Sequence, residues 1–65
     1  MTDFLPFVSI IVPVKNNVKI IHDCLLSLLN LEYDKGMLEI IVVDGFSSDG
    51  TYEVASKLPV KIFPA

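Results

Sequence analysis

Two rhythms of apolar residues alternate along this chain. Phe7–Val14, FVSIIVPV, is a short run rich in Val and Ile. It is too short for a free-standing helix and reads as a strand buried on both faces of a sheet. Pro13 has no N–H to donate, so the strand is expected to stop near it. The polar triplet KNN follows, with Asn16 or Asn17 suited to cap a helix. From Val18 the period changes. Val18, Ile21, Leu25 and Leu28 recur at helical spacing, and Ile20, Cys24 and Leu29 widen the stripe. Lys19, Asp23 and Ser27 take the opposite face, which predicts an amphipathic helix from Asn17 to Asn30. Gly36 marks a chain reversal in the loop LEYDKG. Leu38–Val43, LEIIVV, is a second buried-type strand. GFSSDG is a loop with Ser48 or Asp49 as the next N-cap, and Thr51–Leu58 is a shorter helix broken by Pro59. Val60–Phe63 is a third strand ended by Pro64.

The order βαβαβ predicts an α/β unit with a three-stranded parallel sheet. Strands joined through helices run parallel with right-handed crossovers. Such a unit is one mononucleotide-binding half of a doubly wound, Rossmann-like sheet, whose ligands sit outside the carboxyl ends of the strands. Two segments occupy that edge: PVKNN after the first strand and DGFSSDG after the second.

Composition narrows the reading. With 65 residues, the chain forms one small domain at most. It is 52% hydrophobic with a mean hydropathy of +0.61. That is rich for so short a chain and suggests sheet faces built to be covered by further protein. A fragment or an obligate oligomer fits. The outer strands lack neighbours, so the isolated chain is expected to self-associate or aggregate. One cysteine and one histidine exclude an internal disulfide and a Cys/His zinc cluster. The net charge is −3, and the five Lys/Arg residues are scattered, which argues against nucleic acid. No apolar run approaches the ~20 residues of a membrane span. The start, MTDFLPF, has an acid and no cationic segment, so it does not read as a secretion signal. Cys24 on the apolar stripe reads as core, which fits a reducing compartment and a cytoplasmic location.

The chemistry available at the sheet edge is limited. Asp44 ends the second strand, where a carboxylate either accepts hydrogen bonds from a nucleobase or ribose or bonds its own loop. Gly45 lets the backbone turn sharply or approach a ligand. Ser47, Ser48 and Asp49 contact a ligand or cap the second helix, and Lys15 meets a phosphate or is solvated surface. His22 and Asp23 are adjacent in the helix and do not share a face, which argues against a catalytic pair. No G-x-G-x-x-G follows the first strand, and no G-x-x-x-x-G-K-[ST] occurs, so dinucleotide and P-loop readings fail. A receiver domain wants an acidic pair where this chain has VKNN.

Three blocks, VSIIVPVKNN, CLLSLLNLEY and LEIIVVDGFSSDGTYEVA, agree in order and spacing with one family. Together they resemble the N-terminus of family-2-type glycosyltransferases with the GT-A fold, over residues 8 to about 55. The resemblance implies the first half of a GT-A domain and transfer of a sugar from a nucleotide-diphospho-sugar donor to an acceptor. It implies that Pro13, Val14 and Asn16 line the base and ribose pocket. It also implies that Asp44 helps hold the nucleoside and that Gly45, Ser47 and Asp49 complete the binding loop. Many members carry a second Asp where this chain has Gly45, so the identity of the base stays open.

The family holds the donor diphosphate through a divalent metal, Mg or Mn, on an Asp-x-Asp motif after a later strand. A further acidic residue serves as base. This chain has no Asp-x-Asp and stops at Ala65. It is therefore expected to be the nucleotide-binding segment, residues 1–65, of a domain cut after the third strand, and to be inactive alone. The initial Met reads as the natural N-terminus, with the missing part on the C-terminal side, lost by truncation, gene splitting or pseudogenisation. The rival readings are a non-catalytic mononucleotide-binding or interaction module and a gene remnant without function.

Overall fold

A computed structural model describes residues 6–64. The reading of MTDFL as no secretion signal lies outside the described residues. The elements follow the expected order: β1 Val8–Val14, α1 Ile21–Leu29, a 3-10 turn Lys35–Met37, β2 Leu38–Asp44, α2 Thr51–Ser56 and β3 Lys61–Pro64. The three strands form one parallel sheet in the order β1-β2-β3. Its register sets Val12 beside Val42 and Val42 beside Ile62. Both helices lie on one face, where Val14, Ile21, Leu25, Ile40, Val42 and Ala55 form the core.

The strands are not covered on both faces, as their composition had led us to expect. β1 alternates half-buried and exposed residues up to a buried Val14, because the structure puts helices against one side only. Ile11 and Phe63 on the other face are 57% and 53% exposed. A polar row crosses one end of that face: the Ser9 hydroxyl donates to Glu39 at 2.7 Å, and Lys61 Nζ lies 2.7 Å from the other carboxylate oxygen.

β1 stops at Val14, one residue after Pro13, which is itself in register with Val43. Successive residues of a strand present their polar groups to alternate sides. The Val14 carbonyl faces β2 and accepts from Gly45 N–H at 2.9 Å. The donor that Pro13 lacks therefore faces the open edge, where no ladder bond is lost.

α1 is shorter than the sequence pattern suggests. Its N-cap is Ile20, without a side-chain cap. Residues 18–20 form a turn in which the Asn17 carbonyl accepts from Ile20 and Ile21 N–H. Neither Asn16 nor Asn17 caps the helix, because both side chains bond elsewhere. The apolar stripe is also narrower. Ile21 and Leu25 are buried and Leu28 is half-buried, whereas Ile20 and Cys24 are exposed. On a helical wheel, Ile20 and Cys24 lie on one flank of the Ile21–Leu25 line and half-buried Leu29 lies on the other. Cys24 is thus not a core residue, and its burial no longer argues for a compartment. His22 Nδ1 reaches Asp23 Oδ1 at 3.4 Å with both side chains exposed.

Gly36 sits in the 3-10 turn, where its N–H donates to the Asp34 side chain. α2 ends at Ser56, two residues before the expected Leu58, and its N-cap is Gly50 at φ 94, not Ser48 or Asp49. β3 is displaced by one residue from the expected span, to Lys61–Pro64.

Candidate functional site

The loops after β1 and β2 meet at the carboxyl edge of the sheet, and side chains stitch them together. Asn16 N–H donates to Ser47 Oγ, and Ser48 N–H returns a bond to Asn16 Oδ1, both at 2.8 Å. Asn17 N–H donates to Thr51 Oγ1 at 2.8 Å. Val18 N–H donates to Asp49 Oδ2 at 3.2 Å. Asn17 Oδ1 turns back to accept from Lys15 N–H, a local Asx-type bond. These partners are about thirty residues apart in sequence.

Asp44 sits at the centre of this edge and is 3% exposed. Its Oδ1 accepts from the Ser47 hydroxyl at 2.5 Å and its Oδ2 from Ser47 N–H at 3.0 Å. A carboxylate offers about four acceptor positions, and these bonds use two of them. Asp49 caps the start of α2 although it lies before the formal N-cap. Its Oδ1 accepts from the Thr51 hydroxyl and from Thr51 N–H. The Thr51 hydroxyl, followed by the N–H groups of Val18 and Thr51, holds the Asp49 carboxyl below its ordinary value. Thr51 itself is fully buried, so this network is locked from the core side.

Of the residues singled out from sequence, Asn16, Asp44, Ser47 and Asp49 converge on this edge. Val14 joins them through its carbonyl, while its side chain belongs to the core. Pro13 is exposed on the sheet face away from the helices. Gly45 does not make the sharp turn. A Cβ added there would meet Lys15 Cδ and the Val14 carbonyl at 3.5 Å, ordinary contact, and its φ is not positive. The left-handed residues are Asn16 (φ 51), Phe46 (φ 60) and Gly50 (φ 94). Phe46 was missed from sequence, although a large apolar residue among GFSSDG was the available signal. A shallow groove at this edge is lined by Asn16–Ile20 and Asp49.

No group of three or more His, Cys, Asp or Glu among the described residues could hold a metal ion. The described residues therefore do not fit a catalytic divalent cation. No helix among them is long and apolar enough to cross a membrane.

Known proteins resemble this chain in sequence and fold. Glycosyltransferase AglE of Haloferax volcanii is 47% identical over 55 residues, which are 85% of this chain and 18% of that protein. Beta-monoglucosyldiacylglycerol synthase of Trichormus variabilis is 41% identical over 58 residues, 89% of this chain and 12% of that protein. Among solved structures, the mannosyltransferase PcManGT from Pyrobaculum calidifontis, in complex with GDP-Man and Mn2+, superposes with a TM-score of 0.80 at 29% identity. That likeness covers 97% of this chain and 20% of the mannosyltransferase, and it bears out the GT-A reading of the α/β unit. The chain thus spans a fifth or less of the length of these proteins. Residues 9–64 match the profile described as Glycosyl transferase family 2, and the chain belongs to that family.

Proposed function

We propose that this chain is the nucleotide-binding part of a glycosyltransferase that moves a sugar from a nucleotide-diphospho-sugar to an acceptor. The stitched edge around Asp44 carries the reading. Its carboxylate is buried, fixed by two bonds from Ser47 and still able to accept from a ribose hydroxyl or a base N–H. Asn16, Ser47 and Asp49 hold the two loops in register around it, with Pro13, Val14 and Gly45 framing the edge. The GDP-Man complex of the mannosyltransferase supports a nucleotide-sugar donor.

The divalent metal belongs to the remainder of such a domain. When bound there, it stabilises charge on the departing diphosphate. This chain supplies binding and orientation, so we expect no sugar transfer from it alone. Calorimetry with uridine and guanosine diphosphates tests the reading. One of them should bind, and Asp44→Asn should weaken it about tenfold or more. A thermal melt of the variant confirms that it remains folded. No heat with either nucleotide would reject the proposal, and turnover of a donor sugar would reject the claim of inactivity.

A further inference from the structure

Asn16 and Phe46 are the non-glycine residues with positive φ among those described, and only one of them has a local reason for it. Asn16 uses the left-handed conformation to place its side-chain oxygen on Ser48 N–H. Short polar side chains tolerate that region for this reason, whereas a bulky one is strained in it. Phe46, at φ 60, gains no compensating burial. It is 71% exposed, the most exposed of the large hydrophobic residues described. Glycine would fit this position without strain. The ring is thus held at a conformational cost that neither the fold nor the core offsets, and strain of this kind concentrates where a side chain serves a ligand.

The backbone is pinned on both sides of Phe46. Gly45 N–H is tied to the Val14 carbonyl and Ser47 N–H to the Asp44 carboxylate. The ring is therefore carried on a fixed base, two residues from a buried acceptor. The Lys15 stem lies against Gly45, which adds a cation to the same edge. An exposed aromatic on a pinned backbone, a carboxylate acceptor and a cation suit a ligand with a flat heteroaromatic part, N–H or O–H donors and negative charge. Resting on the nucleotide-binding reading above, we propose that Phe46 is the stacking platform for the base of the bound nucleoside diphosphate. The residue thereby helps to position the donor.

Two variants test this. Phe46→Gly should raise the melting midpoint by a few degrees, because strain is removed, and weaken the nucleoside diphosphate about tenfold. Binding of pyrophosphate, which has no base, should not change. The chain contains no tryptophan. Phe46→Trp therefore supplies a single reporter, whose emission should be quenched by the nucleotide and not by pyrophosphate. If Phe46→Gly binds the nucleotide as the unaltered chain does, the platform is refuted while the nucleotide site stands. A lowered melting midpoint in Phe46→Gly would assign the ring to packing and also refute it. An unaltered chain that binds neither nucleotide overturns both proposals.

Discussion

Both faces of the sheet carry Ile and Val, and these meet different fates. On one, Ile40 and Val42 are nearly or fully buried beneath Ile21, Leu25 and Ala55. On the other, Ile11, Phe63 and Phe7 are more than half exposed around half-buried Ile41 and Val43. Parallel sheets occur with both faces covered. The strands are therefore written for two layers of helices, and the described residues supply one. What stabilises this unit is a single small core plus the polar stitching at its carboxyl edge. The second face is apolar surface awaiting a cover, such as the rest of a longer chain or another copy.

The sharpest way to break this comparison is to truncate one side chain on each face. Leu25→Ala removes a fully buried side chain, which costs about 2–5 kcal/mol and is enough to unfold a unit of this size. Ile11→Ala on the bare face should change stability by less than about 0.5 kcal/mol. Urea titrations followed by circular dichroism compare the two, and equal costs would show that the second face is buried in solution. The next effect concerns association. If copies of the chain cover one another through the bare face, Ile11→Lys should weaken self-association at least tenfold with little change in the melt at low concentration. Sedimentation over a concentration series measures this, and an unaltered monomer throughout would refute covering by copies.

The smallest effect lies in the polar row of the bare face. Lys61, by hydrogen bond and charge, and the Ser9 hydroxyl lower the Glu39 pKa from its ordinary 4.5. A depressed folded pKa stabilises the fold above the unfolded value and loses that stabilisation as pH falls through the folded one. Melting midpoints should therefore be flat near neutrality and begin to fall below about pH 4.5. Glu39→Gln should remove the first part of that fall. The remainder belongs to Asp49, whose ordinary value is 3.8 and whose pKa is also lowered. Because Lys61 is exposed and Glu39 only half-buried, salt should shrink the share of this pair.

The order of elements was legible because short Val/Ile-rich runs and period-3.6 stripes alternate between Val8 and Phe63. The fates of Cys24 and Ile20 were not. The stripe on α1 tells which residues are apolar, not which flank a neighbour covers. The capping roles given to Asn16 and Asn17 failed for a related reason. Local propensity favours them as caps, but Ser48 N–H claims the Asn16 side chain from about thirty residues away and Lys15 N–H claims that of Asn17. Asp44 was legible as an edge carboxylate, and the family resemblance made it a nucleoside ligand candidate. The turn at Phe46 was hidden because Gly45 beside it is the residue that turn chemistry points to.

Sheet order and chain order coincide in β1-β2-β3, and that governs how such a unit is born. β2 and β3 each find a sheet neighbour already made when they leave the ribosome, so the covered core can close early during synthesis. In the relatives this segment is 12–20% of the length, and wherever a chain of that size follows such a unit, several times as many residues are still to be translated. At roughly 5–20 residues per second, the bare face then stays open for seconds to a minute. Ile11, Phe63 and the unpaired edge of β1 thus make the nascent unit a natural client for a chaperone that shields apolar sheet surface.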